Sequence, residues 1–193
     1  MKIGIFGGSF NPPHNRHIDI AKHLLNGYVD KIIFVPTGVN YEYKNNLISN
    51  NHRYNMIKLI TDKFDNMDVS NYEMQDNVVY TYETLDYFKS IYPDDEIYFI
   101  CGSDNLSYID KWKNGYYLLT NYKFLVIDRN THRINELLSH FIEYKDNIIC
   151  VSMELNDLSS TYIRKNVSKN NEILGYLDID VFNYIYKNKL YCD

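Results

Sequence analysis

The chain predicts an α/β fold built on a parallel sheet, and three observations carry that prediction. Five short runs rich in Ile, Val and Phe recur along the sequence. Longer stretches with apolar residues at helical spacing stand between them, and turn residues bound each run. Strands that alternate with helices make strand–helix–strand units, whose sheet is covered on both faces through right-handed crossovers.

The elements follow in order. KIGIF (2–6) is the first strand, and the loop GGSFNPPH leads from it into the helical stretch IDIAKHLL (18–25). KIIFV (31–35) is the second strand, followed by helical patterns in HRYNMIKLITDKF (52–64) and TYETLDYFKSIY (81–92). EIYFIC (96–101), KFLVI (123–127) and NIICV (147–151) complete the five strands, with a helix over RINELLSHFIEY (133–144) before the last. The tail DIDVFNYIYKNKLY reads as a final amphipathic helix. No repeat, low-complexity tract or linker breaks the alternation, so one domain is expected over residues 1–193.

Composition narrows the function. Hydrophobic residues make up 45% of the chain, enough for a packed core. A net charge of −5 argues against a dedicated nucleic-acid binder, so any anion site must be local. No apolar run approaches the ~20 residues needed to span a bilayer, and the first strand begins without the pattern of a signal peptide. Cys101, Cys150 and Cys192 are odd in number, widely spaced and free of any CxxC, the pattern of reduced thiols in a cytoplasmic protein.

Open α/β sheets bind ligands beyond the carboxyl ends of their strands, and the informative residues lie there. In the first loop Gly7 and Gly8 permit close backbone approach, Ser9 and Asn11 can hydrogen-bond a ligand, and Pro12 and Pro13 stiffen the turn. The helix that follows offers its N-terminal N–H groups to an anion. His14 and His17, at i and i+3, share one helix face and can supply two donors to a phosphate. No third ligand at metal spacing accompanies them, and neither GxGxxG nor GxxxxGK[ST] is present. At the far end LSSTYIR (158–164) reads as a capped helix start with Arg164 in its first turn or so. Two cationic helix starts can clamp a polyphosphate from opposite sides.

GSFNPPHNRH resembles the (H/T)xGH signature of the nucleotidyltransferase superfamily, and LSSTYIR resembles its ISSTxIR motif. Between and after them VPTGVNYEYK, NHRYNMIKL, YTYETLDYF, FICGSDNLSYIDKW and VFNYIYKNKLY each resemble, in order, a segment of bacterial-type nicotinate-mononucleotide adenylyltransferases. The resemblance runs from residue 2 to about 191. It implies a Rossmann-like, doubly wound sheet with a C-terminal helical tail. It also implies transfer of AMP from ATP, with Mg²⁺, to nicotinate mononucleotide, giving deamido-NAD and pyrophosphate. No nucleic acid or membrane is implied as a partner, and room is left for a homo-oligomer.

Residue by residue, the resemblance makes His17 the catalytic histidine on the α-phosphate and His14 a phosphate contact. Gly8, Ser9 and Phe10 belong to the first loop's backbone approach, and Ser160, Thr161 and Arg164 to the hold on the ATP phosphates. Asp104 falls near the ATP ribose. On the mononucleotide side, Lys44 reaches a phosphate, Trp112 stacks on the pyridine ring, Thr81 contacts the carboxylate and Arg129 lies near the site. Read alone, Thr81 and Asp104 are helix N-caps, Trp112 is core and Lys44 a solvated loop lysine.

The chain departs from the family at Asn11, where Asp is usual, and at Arg16, where Gly is usual. It also spells NYEYK where PPHK is expected and lacks the glycine after Arg129. Since helical residues advance by about 100° each, Arg16 should point away from the two histidines, outward or toward phosphate oxygens. Alternatives remain open: a related adenylyltransferase or cytidylyltransferase acting on nicotinamide mononucleotide or phosphopantetheine, or a catalytically silent nucleotide-binding homologue.

Overall fold

Strand β1 (Lys2–Gly8) lies inside a six-stranded sheet and pairs in parallel with β2 (Lys31–Pro36) on one side and β4 (Glu96–Gly102) on the other. The structure is a computed structural model, and it describes residues 1–39, 47–128, 131–154 and 158–192. The sheet order is β3-β2-β1-β4-β5-β6, with β3 (Met67–Val69), β5 (Lys123–Asp128) and β6 (Ile148–Ser152) also parallel to their neighbours. The order reverses between β1 and β4, which is the switch point where such sheets take ligands. Sequence periodicity yields five of these strands; β3, only three residues of MDV at the sheet edge, is too short to show a period.

The helices are α1 (Asn15–Leu25), α2 (Asn50–Thr61), α3 (Thr81–Ile91), α4 (Ser103–Leu106), α5 (Gly115–Asn121) and α6 (Thr131–His140). Three more, α7 (Ser160–Asn166), α8 (Asn170–Ile173) and α9 (Ile179–Lys187), form the C-terminal part. Residues 142–144, expected to end the helix over 133–144, belong instead to a 3₁₀ turn at Ile142–Asn147.

Strand period two sorts the core into two layers. Ile3, Ile5, Ile33, Val35, Phe99 and Phe124 face Leu85 and Phe88 of α3 and Leu118 and Leu119 of α5. On the opposite face Phe6, Ile32, Phe34, Ile100, Leu125 and Ile127 meet Ile20, Ala21 and Leu24 of α1 and Ile57 of α2. A third cluster joins Ile18 of α1 and Met56 and Ile60 of α2 to Ile163, Val181 and Ile185 from the C-terminal helices and to Leu190 just after α9. That last cluster brings the tail of the chain against the helix that follows the first loop.

Candidate functional site

At the end of β1 the chain turns sharply. Gly8 cannot carry a side chain here, because a Cβ would sit 2.9 Å from the Phe10 ring. Phe10 has a left-handed backbone, φ 46°, which costs a non-glycine residue roughly 1–2 kcal/mol. Its ring offsets that cost by burying to 2% exposure among Phe6, Phe34 and His17, with centroids 5.6, 5.5 and 5.0 Å away. Beyond it the Asn11–Pro12 peptide is cis.

The loop's oxygens are tied down on the protein side. Ser9 O accepts from Arg53 Nη1 at 2.9 Å, Asn11 O from Arg164 Nη1 at 2.7 Å, and Pro12 O from Ser160 Oγ at 2.8 Å. Asn11 is buried, and its Oδ1 accepts from the Ile48 N–H at 3.4 Å and the Tyr191 hydroxyl at 2.9 Å. An acceptor oxygen is what these donors need, which is why Asn serves where the family usually has Asp.

His14 is the N-cap of α1 and His17 its third residue, and their rings stack with centroids 3.8 Å apart. His17 Nδ1 accepts the His14 backbone N–H at 3.2 Å. Nδ1 therefore carries the lone pair, and in the neutral ring the proton sits on Nε2. One nitrogen of His17 is thus an acceptor for the helix start, which leaves the expected pair of donors, one from each histidine, with His17 donating through Nε2–H.

Ser159 caps α7, its side chain accepting the Tyr162 N–H. Ser160 and Arg164 turn to the first loop as above, and Arg164 Nη2 also donates to Thr161 Oγ1 at 3.1 Å. The two segments expected to clamp a polyphosphate are thus adjacent and hydrogen-bonded to each other. Arg16 does not swing outward: it is 7% exposed, and its Nη1 donates to Leu158 O at 3.2 Å, just before α7. The side chain that replaces the family glycine is a strut between the two motifs.

Asp104 is exposed in the first turn of α4, at the end of β4 and beside the switch point. Gly102 leaves room for it, since a Cβ there would meet Asp104 Oδ1 at 2.2 Å. Trp112 is half-buried, edge-on to Phe99 at 6.1 Å. Thr81 is the first residue of α3 rather than its N-cap; the cap is Tyr80, whose N–H donates to Glu83 Oε2 at 2.8 Å. Lys113, next to Trp112, lies over the Tyr80 ring at 4.2 Å. Lys44 and Arg129 lie outside the described residues.

Sequence reasoning missed three residues that shape this loop: Arg53, Tyr191 and the strut role of Arg16. Arg53 was findable, because it falls on the stripe 53, 56, 57, 60 of α2, where Met56, Ile57 and Ile60 are core. A cation in line with a buried stripe calls for internal acceptors.

A family model described as Cytidylyltransferase-like matches residues 5–166, and together with the strand order it defines a Rossmann-like nucleotidyltransferase. Curated relatives from Endomicrobium trichonymphae and Clostridium tetani, each named "Probable nicotinate-nucleotide adenylyltransferase", are 38% and 36% identical over 98% of this chain and 98% of their own. A solved Plasmodium falciparum nicotinic acid mononucleotide adenylyltransferase, complexed with NaAD, superposes with a TM-score of 0.84 at 25% identity, covering 98% of this chain and 97% of that one. The chain belongs to the nicotinate-nucleotide adenylyltransferases, within the cytidylyltransferase-like family.

Proposed function

We propose that the protein joins the AMP moiety of ATP to nicotinate mononucleotide, in NAD biosynthesis. A phosphate oxygen of the mononucleotide forms the new bond to the α-phosphorus of ATP. The bond from that phosphorus to the β-phosphate oxygen breaks, and pyrophosphate leaves with the electron pair. The nucleophile is already ionised, so no strong base is needed. The work is to hold two anions in line and to stabilise charge on the transferring group.

The observation that carries this reading is the hydrogen-bonded pairing of the α7 segment with the first loop, which follows β1 next to the switch point. In it, His17 Nε2–H donates to the α-phosphate, His14 and the first loop's N–H groups contact phosphate oxygens, and Thr161, Ser160 and Arg164 hold the far phosphates. Ser160 and Arg164 exchange part of their contact with the loop for the nucleotide. Asp104 meets the ribose, Trp112 and Thr81 the pyridine ring and its carboxylate, and Lys44 and Arg129 complete the mononucleotide side. Mg²⁺ arrives with ATP as part of that substrate, coordinated by phosphate oxygens and water, and neutralises charge on the phosphates.

The test is pyrophosphate release from ATP and Mg²⁺ with nicotinate mononucleotide, nicotinamide mononucleotide or phosphopantetheine as acceptor. Release is expected to be most efficient with nicotinate mononucleotide. Faster release with phosphopantetheine, or none with any acceptor, overturns the reading.

A further inference from the structure

Arg53 is wholly buried, at 0% exposure, in the first turn of α2, where it reaches the first loop at Ser9. Its guanidinium donates to three oxygens: Nη1 to Ser9 O at 2.9 Å, Nε to Ile48 O at 3.2 Å and Nη2 to Asn50 Oδ1 at 2.6 Å. All three acceptors are neutral. Glu73 acts on it through space, and its Oε1 accepts from Thr84 Oγ1 at 2.7 Å. Desolvation pulls the Arg53 pKa down to about 10, against weaker pulls from Tyr191 and Glu73. The group therefore stays charged at neutral pH, yet among the described residues that charge has no ion-pair partner. Buried cations are ordinarily paired or neutralised, because removing a charge from water costs several kcal/mol.

The geometry of the bond to Ser9 adds a second consequence. In a planar trans peptide the C=O and N–H point in opposite directions. With Ser9 O fixed on Arg53, the N–H of Phe10 is turned to the side away from Arg53. Phe10 is the residue whose backbone is held in the left-handed region, so this peptide is set by two constraints at once.

We infer that Arg53 is a positioning residue for the nucleotide's phosphates: it turns the Phe10 N–H toward them, and its buried charge is completed by the triphosphate. The inference rests on the ATP reading given above. It gives a role to a costly interior cation. Neutral acceptors hold the guanidinium in place without quenching it, so its field under the loop is kept for the substrate. In a partly buried setting such a field is strong enough to matter across several ångströms.

Asn50→Asp is the decisive variant. It keeps the acceptor 2.6 Å from Arg53 Nη2 but gives it a negative charge, so the loop stays held while the cation is quenched. Asn50 is the first residue of α2, where an acidic side chain also favours the helix. The expected result is an unchanged or raised Tm, together with a rise of about fivefold or more in the KM for ATP and in the Kd for inorganic tripolyphosphate by calorimetry. A purely structural Arg53 predicts no such split, and values within about twofold of wild type would overturn the inference. In parallel, Arg53→Gln should weaken tripolyphosphate binding by about tenfold, and Arg53→Lys by far less. If both Arg53 variants fail to fold, Asn50→Asp decides alone. An inert wild type whose tripolyphosphate binding still falls in Asn50→Asp would uphold the buried cation and remove the adenylyl-transfer reading instead.

Discussion

Replacing His17 separates two jobs that one ring performs. Its Nδ1 accepts the His14 N–H at 3.2 Å at the start of α1, and its Nε2 is the donor proposed for the α-phosphate. Ala removes both. Losing the helix-start acceptor costs roughly 1 kcal/mol, which in a domain of this size lowers Tm by about 2–4 °C. Losing a preorganised donor to a transferring group costs on the order of 10²–10³ in kcat, or roughly 2.7–4 kcal/mol. Asn should restore only the first, since its side-chain oxygen reaches about as far as Nδ1. Gln should restore only part of the second, since its amide nitrogen reaches about as far as Nε2. The assay is thermal unfolding alongside steady-state kinetics at saturating ATP and nicotinate mononucleotide. The expected pattern is wild-type Tm with low kcat for His17→Asn, and lowered Tm with partly recovered kcat for His17→Gln. An unchanged kcat in His17→Ala removes the residue from the chemistry, and a fully active His17→Asn refutes the assignment of the donor to Nε2.

The other variants probe the supports of the same loop and the pyridine pocket. Arg16→Gly removes a buried bond from a charged group to Leu158 O, a loss of about 1.5–3 kcal/mol. It should lower Tm by roughly 3–12 °C while changing kcat/KM for ATP by about tenfold or less. If instead the wild type is inert and Arg16→Gly restores turnover, the arginine is a block and the silent-homologue reading prevails. Burial pushes the Tyr191 phenol well above its usual range, despite the opposing pull of Arg164 and Arg53, so the hydroxyl remains a donor to Asn11 Oδ1. Tyr191→Phe should therefore cost about 1 kcal/mol in chemical denaturation, and an unchanged midpoint would show the bond to be idle. Nicotinate mononucleotide should have a higher kcat/KM than its amide, because an amide NH₂ facing donors leaves buried groups unpaired; equal efficiency would sink that picture of the pocket. Trp112→Ala should raise the KM for the mononucleotide while leaving that for ATP near wild type, as competing titrations of the two substrates would show.

Much of the fold is legible in the sequence because five of the six strands of the sheet are long enough to alternate or run apolar. Lys123–Asp128, for example, is buried almost throughout and reads as KFLVI without ambiguity. Met67–Val69 is not legible, since three residues at an edge carry no period. The positions of the first loop and of the helix start at 158–164 were also legible, because glycines, histidines and cap residues are local signals. Their mutual support was not. The bonds from Arg53 to Ser9, Arg16 to Leu158 and Tyr191 to Asn11 are settled by tertiary packing, and nothing in the spacing of the chain pairs them. Arg16 shows the limit well: helical geometry correctly turned it off the histidine face, but could not say that the α7 segment would be waiting there.

The third core cluster, which joins α1 and α2 to α7 and α9, ties the timing of assembly to the quality of the site. The loop at residues 9–12 is held from positions 53, 160, 164 and 191, the last of these 180 residues away from Asn11. Contacts so distant in sequence close late, after the entropy of the intervening chain has been overcome. During synthesis the loop and Arg53 leave the ribosome well before the three later struts at positions 160, 164 and 191. A chain cut back before Tyr191 would keep every strand of the sheet and still present an unsettled loop, so partial proteolysis at the tail should silence the protein well before it unfolds it.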